Sequence, residues 1–359
     1  MQFNIYYYEN YPIDTPFDMN NPRCVMSMRG IDDVLEKIIS NEPYTLTVND
    51  LSDVEIVRAL LHIEVLQQKD GKLGMAVPFF TEKDEKILKE LSKKSARAIA
   101  SIMLEQKEQI INIIQGVNNG YEPDVNLYHL LCGYIFDGLM FDYLEKEGLI
   151  TTSCIHKTGL DYLVIVYEDV SALTEYSNQL LCSYNRLMRN GKGFVSFGDS
   201  NGKRKDLYRY MRMKELGELS DKEKMYVKHP ITELIANFEN VLDGKTVDEE
   251  YMEVYEYFGY CKDGKVNVPI YNDYCYEVAD RLYSFILKNV RDPLVEALSI
   301  MQDEKRLSTI SHGVTVKDIA NEIYHLIFGE VNELLVQSGL VATPMFVHGE
   351  GRYLKSFER

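Results

Sequence analysis

Lys69-Asp70-Gly71-Lys72, running on to Val77-Pro78-Phe79-Phe80, recurs as Lys262-Asp263-Gly264-Lys265, running on to Val268-Pro269-Ile270-Tyr271. Further along, Gly148-Leu149-Ile150 with Thr152, Tyr162 and Leu163 recurs as Gly339-Leu340-Val341 with Thr343, Tyr353 and Leu354. From Pro78 to Pro269, and again from Gly148 to Gly339, the step is 191 residues. One step kept over so long a span predicts two related halves joined by an insert. The markers of that repeat are Gly71, Pro78 and Gly148 in one half and Gly264, Pro269 and Gly339 in the other.

Working outward from these markers, apolar spacing predicts helices over 31–39 and 53–67, with Thr47 as an N-cap between them. Asp70-Gly71 is a turn signal, and the residues around it read as a short β-hairpin. Residues 82–115 carry helical spacing without Gly or Pro, and Asn118-Asn119-Gly120 and Pro123 end the run. A helix over 135–147, closed by Gly148, then leads to a hairpin over 149–156 and 162–167. The second half repeats the order: helices over 231–242 and 248–258, a turn at Asp263-Gly264, and a long helix over 274–300 with Pro293 as a kink. Helices over 316–337 and a hairpin over 340–346 and 353–357 follow.

Three helices followed by a hairpin is the winged-helix order. Leu144-Glu145-Lys146-Glu147-Gly148-Leu149-Ile150, then a strand, a glycine turn and Tyr162-Leu163-Val164, resembles the end of many winged-helix regulators. The resemblance implies that Gly148 caps a third helix and that Leu149-Ile150 starts the wing. The expected fold is mainly α with small β-hairpins: internally duplicated tandem winged-helix modules joined by a basic, glycine-rich insert. The expected boundaries are an arm over 1–28, a module over 29–81, a connecting helix over 82–123 and a module over 124–169. The insert follows over 170–228, then a module over 229–272, a connecting helix over 273–314 and a last module over 315–359.

The 359 residues are 45% hydrophobic and 26% charged, with mean hydropathy −0.24. That is the composition of a globular protein long enough for two or more cores. No apolar run reaches the ~18 residues of a membrane span. The N-terminus lacks the basic start and apolar stretch of a signal peptide, so a cytoplasmic protein without membrane association is expected. The six cysteines show no CxxC and no metal-site spacing, and read as reduced, mostly buried side chains. The seven histidines are dispersed, and none is expected to form HxxxH or to pair with a nearby cysteine.

Net charge is −17, which repels a polyanion at long range. The charge is uneven: residues 169–228 hold 12 Lys+Arg against 8 Asp+Glu, whereas both flanking stretches are strongly acidic. Within that segment stand Arg186, Arg189, Lys192, Lys203, Arg204, Lys205, Arg209, Arg212 and Lys214, interleaved with Phe194, Phe197, Tyr208 and Tyr210. Cations neutralise phosphates and aromatic faces stack on unpaired bases, so these nine residues are the candidate nucleic-acid site. The competing reading docks the same loop on the acidic halves of its own chain or of a second subunit. Residues 191–202 hold four glycines in twelve and read as a mobile loop or hairpin, flanked by helices over 178–188 and 207–216.

The chain has no Walker loop, no GxGxxG after a strand, no GxSxG and no HExxH. No catalytic residue, metal ligand or cofactor is assigned. The helices expected to sit where a recognition helix would are acidic, Asp137, Asp142, Glu145 and Glu147 facing Lys146 alone, which suits a protein surface better than a DNA groove. The reading is a non-enzymatic regulator of the transcription-regulator type, binding nucleic acid, a protein partner or a second copy of itself. The alternative is a protein-interaction scaffold whose winged helices never touch nucleic acid.

Overall fold

The computed structural model describes residues 1–170, 176, 179–200, 203–302 and 307–359. Asn178, Asn201 and Gly202, which belong to the helix and loop expected around the insert, lie outside the described residues. The chain divides into two compact units, each assembled from three separate stretches.

The first unit comprises Met1–Ser95, Phe141–Ser177 and Asp292–Ile327. Its sheet is ordered around three strands: β1 (Phe3–Glu9) antiparallel to Asp161–Glu168, which in turn runs parallel to Phe79–Phe80. With the separate hairpin of β2 (Leu66–Lys69) and β3 (Lys72–Met75), Phe79–Phe80 is β4, Cys154–Ile155 is β5 and Asp161–Glu168 is β6. β5 pairs antiparallel with the start of β6. The run Tyr162-Leu-Val-Ile-Val-Tyr167 is apolar at every position because β6 is buried on both faces. Tyr162, Val164 and Val166 join a core with Val57, Leu60, Ile63 and Met75. On the other face the Tyr167 hydroxyl, with that of Tyr8, donates to Glu322 at 2.8 and 2.7 Å.

The second unit comprises Ala96–Met140, Asn178–Arg291 and Phe328–Arg359. It contains β7 (Leu181–Arg189), β8 (Lys192–Asp199), β9 (Cys261–Lys262), β10 (Lys265–Val266), β11 (Ile270–Tyr271), β12 (Phe346–Val347) and β13 (Gly351–Glu358). The main sheet runs β11-β13-β8-β7, with β12 also on β13; β9 and β10 form a separate hairpin. Tyr128–Leu139, expected to be partly α-helical, is a π-helix of 12 residues that passes into the α-helix Met140–Lys146.

These sheets overturn the tandem winged-helix architecture. The protein is mixed α+β, 50% helix and 18% strand, with several multi-strand sheets. The strands expected to be outer arms of wings, β6 and β13, are instead central, each flanked by an antiparallel strand and a short parallel one. The repeated sequence has a local cause within those sheets. The carbonyls of Pro78 and Pro269 accept from Val166 and Phe357 at 3.0 Å, opening the two parallel ladders. A proline suits that place because a strand's first residue need not donate. Gly148 and Gly339 end their helices at φ 70° and 68°.

The insert is corrected too. Residues 181–189 are not helical: β7 and β8 form a hairpin in the second unit's main sheet. Its turn is Asn190-Gly191 at φ 52° and 79°, the two left-handed residues that match the twist of paired strands.

Candidate functional site

The nine basic residues of the candidate nucleic-acid site all lie in the second unit. Their cationic groups are largely taken up inside it. Arg186, on β7, makes a two-point contact with Glu358 at 2.6 and 3.2 Å. The guanidinium of Arg189, at the end of β7, donates to the Met188 carbonyl at 3.1 Å. Lys192 pairs with Glu239. Arg204 is fully buried: its guanidinium donates to the Ser183 carbonyl at 3.1 Å and to Ser183 Oγ at 2.6 Å, and lies 4.0 Å from Asp206. Burial pulls its pKa below the ordinary arginine value.

Arg209, on the helix Leu207–Glu215, donates to the Ser200 carbonyl at 3.0 Å. Burial, then the charge of Arg204, pulls its pKa down to about 9. Arg212 is buried and pairs with Glu215 at 3.2 Å. Lys205 Nζ lies 3.7 Å over the Tyr257 ring, and Lys214 Nζ donates to the Val227 carbonyl at 2.9 Å. Arg186, Lys203 and Lys214 are the three exposed members of the nine. Of the four aromatics meant to stack on bases, Phe194, Phe197 and Tyr210 are buried and Tyr208 is half-buried. The arrangement can hold a sheet together, and it offers few cations to a phosphate backbone.

The same unit presents an apolar surface that periodicity does not reveal. Met345, Phe346 and Val347 are consecutive and exposed at 80%, 61% and 36%. β12 pairs with β13 through Phe346 opposite Arg352 and Val347 opposite Gly351. The base of this hairpin is rigid. The Arg352 guanidinium donates to Asp199 Oδ1 at 2.8 Å and Glu333 Oε1 at 2.6 Å, while the Arg352 amide donates to Asp199 Oδ2 at 2.7 Å. The Lys203 amide donates to the Gly349 carbonyl at 3.1 Å, tying the turn to the segment after β8. Met345, after Pro344, and the two residues of the edge strand β12 are exposed apolar side chains with no charge among them to discourage strand pairing.

The first unit holds a site that the sequence reading passed over. Cys154 is exposed, whereas four of the other five cysteines are buried. His156 Nε2 lies 3.4 Å from Cys154 Sγ, and its Nδ1 lies 2.9 Å from Glu64 Oε2. The signal was the spacing Cys154-x-His156, since side chains two apart on an extended segment share a face. Glu64, 92 residues away, could not be found by spacing. Among the described residues there is no group of three or more His, Cys, Asp or Glu placed to hold a metal ion, and no helix long and apolar enough to cross a membrane. Comparison with family models, curated proteins and solved structures finds no match to this chain.

Proposed function

We propose that this is a non-enzymatic, cytoplasmic protein that works by binding another protein, with the hairpin Phe346–Arg352 as a contact surface. The observation that supports the reading is the exposed run Met345-Phe346-Val347 on an edge strand whose base is clamped by Arg352. An extended apolar segment of the partner would add to the free edge of β12, its main chain giving affinity and its side chains covering Phe346. A net charge of −17, with most cations of the 186–214 segment spent internally, weighs against nucleic acid as the partner.

The experiment places a photo-crosslinking phenylalanine analogue at position 346 of the full chain in cells, with the exposed Met225 as the control position. A discrete protein adduct at 346, lost when Met345 and Val347 are both changed to Asp and missing at 225, is the expected result. No adduct at 346, or the same adduct from both positions, would overturn the proposal.

A further inference from the structure

Cys154, His156 and Glu64 stand in the order nucleophile, imidazole, carboxylate, all within the first unit. The imidazole is fixed on three sides. Its ring stacks on Tyr162 with centroids 3.9 Å apart and planes 14° from parallel. Its Nε2 lies 2.9 Å from the Tyr162 carbonyl oxygen, and its Nδ1 faces Glu64. Both ring nitrogens thus meet an oxygen acceptor at 2.9 Å. Glu64 is held in turn. The Lys157 amide donates to Glu64 Oε2 at 3.2 Å, and the Glu64 backbone takes φ 56° to bring its side chain there. Burial alone would raise the Glu64 carboxyl, but the hydrogen bonds from Lys157 and His156 outweigh it and hold it below the usual range.

The thiol lies on the short strand β5, open to solvent. It needs no pocket to be reached, so the electrophile it suits is a small one. Burial pushes the Cys154 thiol up, and the carboxylates of Asp318, Asp161 and Glu64 push it the same way. The raised pKa leaves only a small ionised share near neutral pH; that share is a strong nucleophile, and it gains most when the leaving group is protonated as it departs.

We propose that Cys154 is a peroxide-reactive thiol, with His156 as the acid that protonates the leaving oxygen and Glu64 as the group that orients His156. The Cys154 proton first goes to solvent. The sulfur then attacks one oxygen of hydrogen peroxide, the S–O bond forms and the O–O bond breaks. Sulfur gives up two electrons and the peroxide is reduced. The departing hydroxide takes the proton from His156 Nε2 and leaves as water, and the ring regains a proton from solvent. The product is a sulfenic acid at Cys154, which thiols can reduce again. This goes beyond partner binding and uses none of the residues of the β12 hairpin.

The test treats the full chain with hydrogen peroxide and traps sulfenic acid with a dimedone-type probe, locating it by mass spectrometry. Iodoacetamide alkylation is followed in parallel. Labelling should fall on Cys154 and vanish in Cys154→Ser. His156→Gln should slow the peroxide reaction by about tenfold or more, as expected for loss of a general acid. It should change alkylation far less, because iodide departs without a proton. Glu64→Gln, which keeps the ring in place, should slow the peroxide reaction by a smaller factor, and it carries the test alone if His156→Gln does not fold. The proposal is overturned if labelling persists in Cys154→Ser. It is overturned equally if the folded variants slow both reactions alike or neither.

Discussion

At Glu85, in the first turn of the helix Glu82–Glu105, a carboxyl group is buried with neither oxygen hydrogen-bonded. It faces Glu82 and Asp84 on its own helix and Glu168, Asp169 and Tyr167 from β6 and its end. Burial first, then the carboxylates of Glu168, Glu82, Asp169 and Asp84, push its pKa up to about 8. The folded protein thus keeps a proton that the unfolded chain releases near 4.5. Its contribution to stability is full below that lower value and is lost as pH rises through the folded one. We expect the melting temperature to fall between about pH 5 and about pH 9. Glu85→Gln, always neutral, should give a flatter profile and melt higher at the alkaline end. Parallel profiles for the two proteins would show that Glu85 carries no such linkage. Nothing in the sequence marked this residue, since Glu82, Asp84, Glu85 and Glu90 read as one side of a solvated, charged helix face.

At the scale of elements, most helices were legible because their apolar residues recur at helical spacing. Residues 31–39, 231–242 and 248–258 needed only that rule, and the observed helices are Ile31–Ile39, Ile231–Leu242 and Glu249–Tyr257. The β7–β8 hairpin was misplaced: residues 178–188 were read as a helix, and a loop or hairpin was expected only over 191–202, where the glycines lie. In a strand, glycine can instead mark a place where another backbone comes close. A Cβ on Gly198 would lie 2.1 Å from the Arg352 carbonyl oxygen of β13, and one on Gly193 would lie 2.0 Å from that of Leu187. Asn190-Gly191 between two strands was the available signal, and the basic residues around it drew attention to charge instead. Gly198→Ala should therefore cost about 3 kcal/mol, since β8 cannot keep its place beside β13. Gly217→Ala, where no atom lies within 4 Å of the added carbon, tests backbone strain alone at φ 73° and should cost less. Chemical denaturation of both variants measures the difference, and equal costs would mean that the close approach does not matter.

Across the whole molecule, what the sequence could not disclose is which distant stretches complete which unit. Residues 292–327 finish the first unit through contacts that no periodicity predicts: Ser308 donates to Asp84 at 2.9 Å, and Met75 donates to His312 Nδ1 at 3.1 Å. The same limitation explains the candidate site. A run of nine cations in sequence says nothing of the partners that the fold brings to them from β13 and from the helix Ile231–Leu242. With most of those cations paired or buried, the chain keeps its −17 net charge and its exposed apolar strand as the features a partner meets. The most direct measurement is therefore filter binding of the full chain to duplex and single-stranded nucleic acid at low and physiological salt. The account predicts no retention even at low salt. Binding that weakens steeply with salt and is abolished by charge reversal at Lys203, Arg204 and Lys205, in protein that remains folded, would contradict it.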